Sequence, residues 1–216
     1  MRDILLTGFD AFGDEDINPA TEVVKELAGR EILGHRIESL EIPTVRYSSV
    51  KAIEEKISEL KPELVINVGQ AGGRSAISVE RVAINVDDYR IEDNNGNQPV
   101  DQAINPDGPA AYFATLPVKA MVKKMKKGGI PAEVSNTAGT FVCNHVMFGV
   151  LDYIQRNSLK IPTGFIHIPF LPDQVVDKSG KPSMALDTIK QGILIAIEAA
   201  IENKNGDINY QAGKIH

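Results

Sequence analysis

The chain has 216 residues, a formal net charge of −6 and a pI near 5.3, with 43% hydrophobic and 24% charged residues, the proportions of a globular protein with one proper core. The acidic balance excludes a general nucleic-acid binder, which needs clustered Lys and Arg, and the most apolar stretch, "GILIAIEAAI" at 192–201, is too short and interrupted to span a bilayer. The lone cysteine cannot form an internal disulfide and "MRDILLTGFD" lacks the pattern of a secretory signal, so the expected location is the cytoplasm.

Strand and helix patterns alternate along the chain. "DILLTGF" at 3–9 predicts a buried strand, and "NPATEVVKEL" a helix capped by Asn18, with Pro19 in its first turn and Ala20, Val23, Val24 and Leu27 on one face. "RIESLEIP" predicts a second strand, residues 49–60 a helix with Val50, Ile53, Ile57 and Leu60 inward, and "ELVINVG" a third strand after Pro62. "AISVERVAINVDD" at 76–88 alternates like one strand, and the polar stretch after it, residues 90–108, reads as a loop or lid. Helix signals return at 109–127, where Lys119, Lys123, Lys124, Lys126 and Lys127 complement a helix end closed by Gly128 and Gly129. A strand at 131–136, a helix after Cys143, a strand at 164–169 and a helix over 183–202 complete the order, and residues 203–216 read as a frayed tail. Strands separated by helix-length segments predict an α/β fold: a single domain over 1–216, three-layer α/β/α, with a central mixed, largely parallel twisted sheet. Ligands of such sheets gather at strand-to-helix turns.

Three residues stand in awkward places. Cys143 falls early in its helix, where unpaired backbone N–H groups favour a thiolate and hold an oxyanion; it also aligns with the apolar stripe Met147, Val150 and Ile154, as a core filler does. Glu80 shares a strand face with Ser78, Val82, Ile84 and Val86, so it requires a buried partner or the rim of a cleft. His167 sits in the apolar strand "TGFIHIPF", as a satisfied core histidine or a proton acceptor. The other histidines are weaker candidates: His35 lies in a polar turn, His216 ends the chain, and His145, two positions from Cys143, faces elsewhere on the helix. A thiol, an imidazole and a carboxylate are the set that thiol hydrolysis requires, but periodicity alone does not bring them together.

The glycine-rich "VGQAGGRS" at 68–75 has neither the ending of a P-loop nor dinucleotide-site spacing, and no Cys/His cluster has zinc spacing, so neither a nucleotide nor a structural metal is expected. "TGFDAFG" places Phe9 and Phe12 in a loop, either as core residues or as an apolar pocket.

Four stretches then carry a resemblance: "LLTGFDAFG" with "NPA" behind it, "VINVGQAGGRSAISVERVAIN" with "DDYRIEDN" behind it, "SNTAGTFVCNHVMFG", and "GFIHIPFLPDQ". In order and spacing the chain resembles the pyrrolidone-carboxylate peptidases, up to about residue 202. The resemblance implies a cofactor-free cysteine peptidase that removes N-terminal pyroglutamyl residues from peptides, commonly as a homo-oligomer, often a tetramer. It implies Cys143 as nucleophile, His167 as general base and acid and Glu80 as the orienting carboxylate. It also implies a lactam pocket of Phe9, Phe12, Phe141 and Val142, with Gln70 offering backbone hydrogen bonds and Arg90 near the oxyanion. Tyr89 and Glu92 stand where relatives often have smaller residues or proline. Two readings from other classes are a nucleoside-phosphorylase-like transferase, whose activity would survive loss of Cys143, and a non-catalytic small-molecule binding module.

Overall fold

From Ile4 onward every residue of β1 (Arg2–Phe9) is buried, so the strand is covered on both faces: Ile4 and Leu6 enter one core, Leu5 and Phe9 the other. The computed structural model describes residues 2–13 and 15–213. Asn18 caps α1 (Pro19–Leu27) by accepting from the Ala20 amide at 3.0 Å. Next come β2 (Glu31–Ile32), β3 (His35–Ile42), α2 (Ser48–Leu60) and β4 (Leu64–Gln70). Leu33 and Gly34, both at positive φ, form the tight β2–β3 turn, a hairpin too short for the sequence pattern to mark. The rest are β5 (Ile77–Glu80), β6 (Val82–Ile84), β7 (Ala111–Phe113), α3 (Val118–Lys127), β8 (Ala132–Ser135), α4 (Val142–Arg156), β9 (Thr163–Ile168) and α5 (Leu186–Glu202).

Among the described residues a seven-stranded sheet runs in the order β2-β3-β1-β4-β9-β5-β8. β3, β1, β4 and β9 are mutually parallel; β5 and β8 are parallel to each other but meet β9 antiparallel. Helices α1, α3 and α5 cover one face, and α2 and α4 the other. This is the expected mixed α/β domain. No helix of the described residues is long and apolar enough to cross a membrane.

Three expectations are corrected. The alternating run at 76–88 is two strands in two sheets: at Arg81 the chain leaves the main sheet, and β6 pairs antiparallel with β7 instead. Ser78 and Glu80 keep their shared face, but Val82 and Ile84 do not continue it. The helix expected over 109–127 starts only at Val118; Pro117 favours extended backbone before it, and Ala111–Phe113 are strand. Residues 203–213 have no regular structure yet are tethered, because the Asp207 carboxylate accepts from the Lys119 and Ala120 amides, both at 2.9 Å, at the otherwise uncapped start of α3.

The polar stretch at 90–108 is a loop, held by short-range chemistry. Asp93, nearly buried, accepts from the amides of Asn95 and Asn97 at 3.0 and 2.9 Å and from the Arg46 amide at 2.9 Å. Asn94 ties the same loop to the β1–α1 connection through Asp10 and the Ala11 carbonyl.

Candidate active site

The register of the sheet assembles the site. His167 on β9 is paired with Gly69 on β4 to one side and Ser78 on β5 to the other, so these three face the α4 layer together. Glu80, two residues beyond Ser78, faces the same way, within diagonal reach of His167. Its Oε1 lies 2.7 Å from His167 Nδ1, with Glu80 fully buried and His167 4% exposed. The Arg74 guanidinium donates to the same oxygen at 2.6 Å and to the Thr137 carbonyl at 3.2 Å. The buried Oε2 has no hydrogen-bond partner among the described residues. Burial raises the Glu80 pKa, but the His167 hydrogen bond and charge, the neighbouring Ser135 hydroxyl and Arg74 outweigh it and hold the carboxyl below its ordinary value.

Cys143 is the second residue of α4. Phe141 precedes the helix without a side-chain cap, and the first helical bond runs from the His145 amide to the Phe141 carbonyl at 3.1 Å. The amides of Val142, Cys143 and Asn144 therefore belong to the free end of the helix. Asn144 fixes that end: its side chain bonds the backbone of Ile84 through both atoms, at 3.0 and 2.9 Å, and the Val86 carbonyl at 3.0 Å. The Cys143 sulfur rests on Gly69, where an added Cβ would lie 3.0 Å from Sγ and 2.7 Å from the Phe165 ring. Burial, and secondarily the Glu80 charge, push the thiol up to about 12, opposed by Arg74 and by its own backbone N–H.

One residue beyond Gly69, at Gln70, begins a cleft of about 650 Å³ lined also by Phe12 and Arg90 among others. Phe141 packs between Phe12 and the buried Tyr89, at ring separations of 5.9 and 4.7 Å. Arg90 is exposed and, among the described residues, makes no ion pair. The Gln70 side chain accepts from Gln174 at 2.8 Å. Phe9 ends a strand rather than standing in a loop, and it and Val142 are enclosed in the core that holds Phe165 and do not line the cleft.

His145 turns away from Cys143, as its spacing requires. Its Nδ1 meets Asp87 Oδ2 at 2.8 Å, and its Nε2 accepts the Tyr47 amide at 2.9 Å. Arg46 lies 3.3 Å from the same Asp87 oxygen, so a second buried imidazole–carboxylate pair stands behind the helix start. His35, at the start of β3, pairs with Glu63 at 2.8 Å. His216 lies outside the described residues. Among those residues no group of three or more His, Cys, Asp or Glu is arranged to hold a metal. Arg74 and Gly69 escaped the sequence reading: "VGQAGGRS" was weighed only as a phosphate loop and set aside, and only the buried Glu80 hinted that a cation must be near.

A single thiol at a free helix start, over a strand glycine and beside an imidazole–carboxylate pair, on an α/β sheet, is the arrangement of a cysteine-type hydrolase. A family model described as pyroglutamyl peptidase matches residues 2–203, and the chain belongs to that family of cysteine-type exopeptidases. It is 55% identical over 212 residues to the pyrrolidone-carboxylate peptidase of Clostridium perfringens (strain 13 / Type A), covering 98% of this chain and 99% of that one. It is 54% identical over 202 residues to that of Bacillus mycoides (strain KBAB4), covering 94% of each. The crystal structure of pyroglutamyl peptidase I from Bacillus amyloliquefaciens superposes with a TM-score of 0.94 at 48% identity, over 97% of this chain and 99% of that one. Pyrrolidone carboxyl peptidase from Thermococcus litoralis gives the same TM-score at 37% identity, over 98% and 100%. Family membership sets aside the phosphorylase-like and non-catalytic readings.

Proposed function

We propose that Cys143, His167 and Glu80 carry out the family reaction, in which the chain removes the N-terminal pyroglutamyl residue from peptides through a thioester. The observation that supports it most is the shared position of the Cys143 sulfur and His167 around Gly69, with His167 Nδ1 already engaged by Glu80. Because Nδ1 is occupied, the free ring nitrogen is Nε2, the one that serves as base. A thiol pushed up to about 12 is neutral at rest, so attack and proton transfer to His167 proceed together.

The sulfur attacks the pyroglutamyl carbonyl carbon, and the free amides at the start of α4 receive the developing oxyanion; donors of this kind contribute about 3 kcal/mol each. Arg90, from the cleft wall, adds positive charge near it. Protonated His167 gives its proton to the leaving amine, then takes one from the water that cleaves the thioester. Glu80 stays ionised throughout and keeps the ring oriented. The ring pocket of Phe12 and Phe141, backed by Phe9 and Val142, admits a neutral lactam but cannot solvate the ammonium and carboxylate of an ordinary N-terminal glutamate. Gln70 supplies backbone hydrogen bonds to the lactam amide.

Residues 1–216 act as one catalytic domain, in the cytoplasm, as a homo-oligomer held without disulfides, a tetramer by likeness to the family. The test is release of a chromophoric amine from a pyroglutamyl anilide, with and without a thiol-alkylating agent. Alkylation-sensitive release is expected, and release that survives alkylation rejects Cys143 as nucleophile.

A further inference from the structure

The cleft that begins at Gln70 is larger than a five-membered ring requires. Pockets of about 300–1,000 Å³ hold drug-sized ligands, so one of about 650 Å³ has room for further peptide residues beside a five-membered ring. Its near end is marked by Phe12, which packs on Phe141, and by Gln70, which follows Gly69. Its wall also carries Lys178 and Lys181, from the turn after Pro172–Val175. The Lys178 ammonium pairs with Glu15 and lies 4.9 Å over the Phe170 ring, a fixed charge on the wall. Lys181 is exposed and, among the described residues, has no ion-pair partner. Arg90 is the third cation of the lining, and Glu15 and Glu92 are its acids among the described residues. Among the described residues the lining thus carries three cations against two acids, on a chain whose net charge is −6.

We propose that this wall is a subsite for a carboxylate on the leaving side of the substrate, held by Lys181 with the field of Lys178, so that acidic pyroglutamyl peptides are the favoured substrate class. The proposal rests on the peptidase reading above. A side-chain carboxylate and the free C-terminus of a short peptide present the same chemistry, and the lysines read the charge in either. Exposed ion pairs are individually weak and screened by salt, so the effect appears as selectivity at low ionic strength.

The test compares kcat/KM for three peptides: pyroglutamyl-Ala-Ala-amide, pyroglutamyl-Ala-Ala with a free C-terminus, and pyroglutamyl-Ala-Glu-amide. A preference of about threefold or more for a carboxylate-bearing peptide over the neutral one is expected in KM, fading at high salt. The ratio should fall in Lys181→Gln and invert in Lys181→Glu. Preference for the free C-terminus alone assigns the subsite to the peptide end; preference for both assigns it to carboxylates in general. Equal kcat/KM for all three peptides, or a ratio unmoved by Lys181→Glu, overturns the subsite while leaving the peptidase intact. Failure to cleave any of the three overturns both.

Discussion

Gly69 and Cys143 meet with no space for a side chain between them: a methyl group on Gly69 would stand 3.0 Å from the sulfur and 2.7 Å from the Phe165 ring. Gly69→Ala must therefore move the thiol or the aromatic ring. Overpacking of this kind costs about 1–3 kcal/mol in stability, which the protein should survive folded. A displaced nucleophile loses far more, and we expect kcat/KM to fall by about 100-fold or more. Anilide kinetics beside a thermal melt separate the two, and full activity in the variant would show that the sulfur does not work from this position.

The raised thiol pKa makes its dependence on imidazole measurable. With a value of about 12, the fraction of thiolate without assistance grows tenfold per pH unit across the neutral range. In His167→Ala, alkylation of Cys143 should be slow at pH 7 and climb steadily into alkali. The unaltered protein should react much faster near neutrality. Equal alkylation rates in both at pH 7 would remove His167 from the activation of the sulfur.

Arg74 should contribute, behind His167, to the acid tolerance of the site. Glu80 is held below its ordinary value, so its contribution to stability is present above the unfolded carboxylate pKa and is lost as pH falls through the folded one. Burial works against that depression, and Arg74 is one of the groups that overcome it. Removing the guanidinium in Arg74→Met shrinks the depression, so acid unfolding and the acid limb of kcat/KM should both shift to higher pH. Profiles that overlay those of the unaltered protein would deny Arg74 this part.

Glu80→Gln keeps the shape of the side chain and removes its charge. Turnover should fall by about 100-fold or more while KM changes little, because an orienting carboxylate acts on the transition state rather than on substrate binding. A large rise in KM with turnover intact would instead make Glu80 a binding group.

The tail offers a prediction about stability alone. Asp207 receives two amides at the start of α3, and loss of such a cap costs about 0.5–2 kcal/mol. Asp207→Ala should lower the denaturation midpoint with kcat/KM unchanged, as measured by urea unfolding and anilide kinetics. An unaltered midpoint would mean that the tail bears no load.

Periodicity made much of this architecture readable. Asn18 before Pro19, the inward stripe of α2 and the unbroken apolar run of β4 each specify an element through local preferences. The break at Arg81 was hidden because side-chain alternation continues across it; what changes there is the hydrogen-bonding partner, which belongs to the tertiary fold. The site divides in the same way. Residue type and position near an element's end pointed to Cys143, Glu80 and His167. Their convergence depends on β5 meeting β9 in reverse direction, and the purpose of Gly69 appears only when α4 docks on it. The full burial of Phe9 and Val142 was not legible in their motifs, because side-chain burial is decided by neighbours distant in sequence.

That reversed meeting of β5 and β9 is a seam between two blocks of strands, β3-β1-β4-β9 on one side and β5-β8 on the other. Glu80 is carried by the smaller block and His167 by the larger, so their partnership exists only after the two have joined.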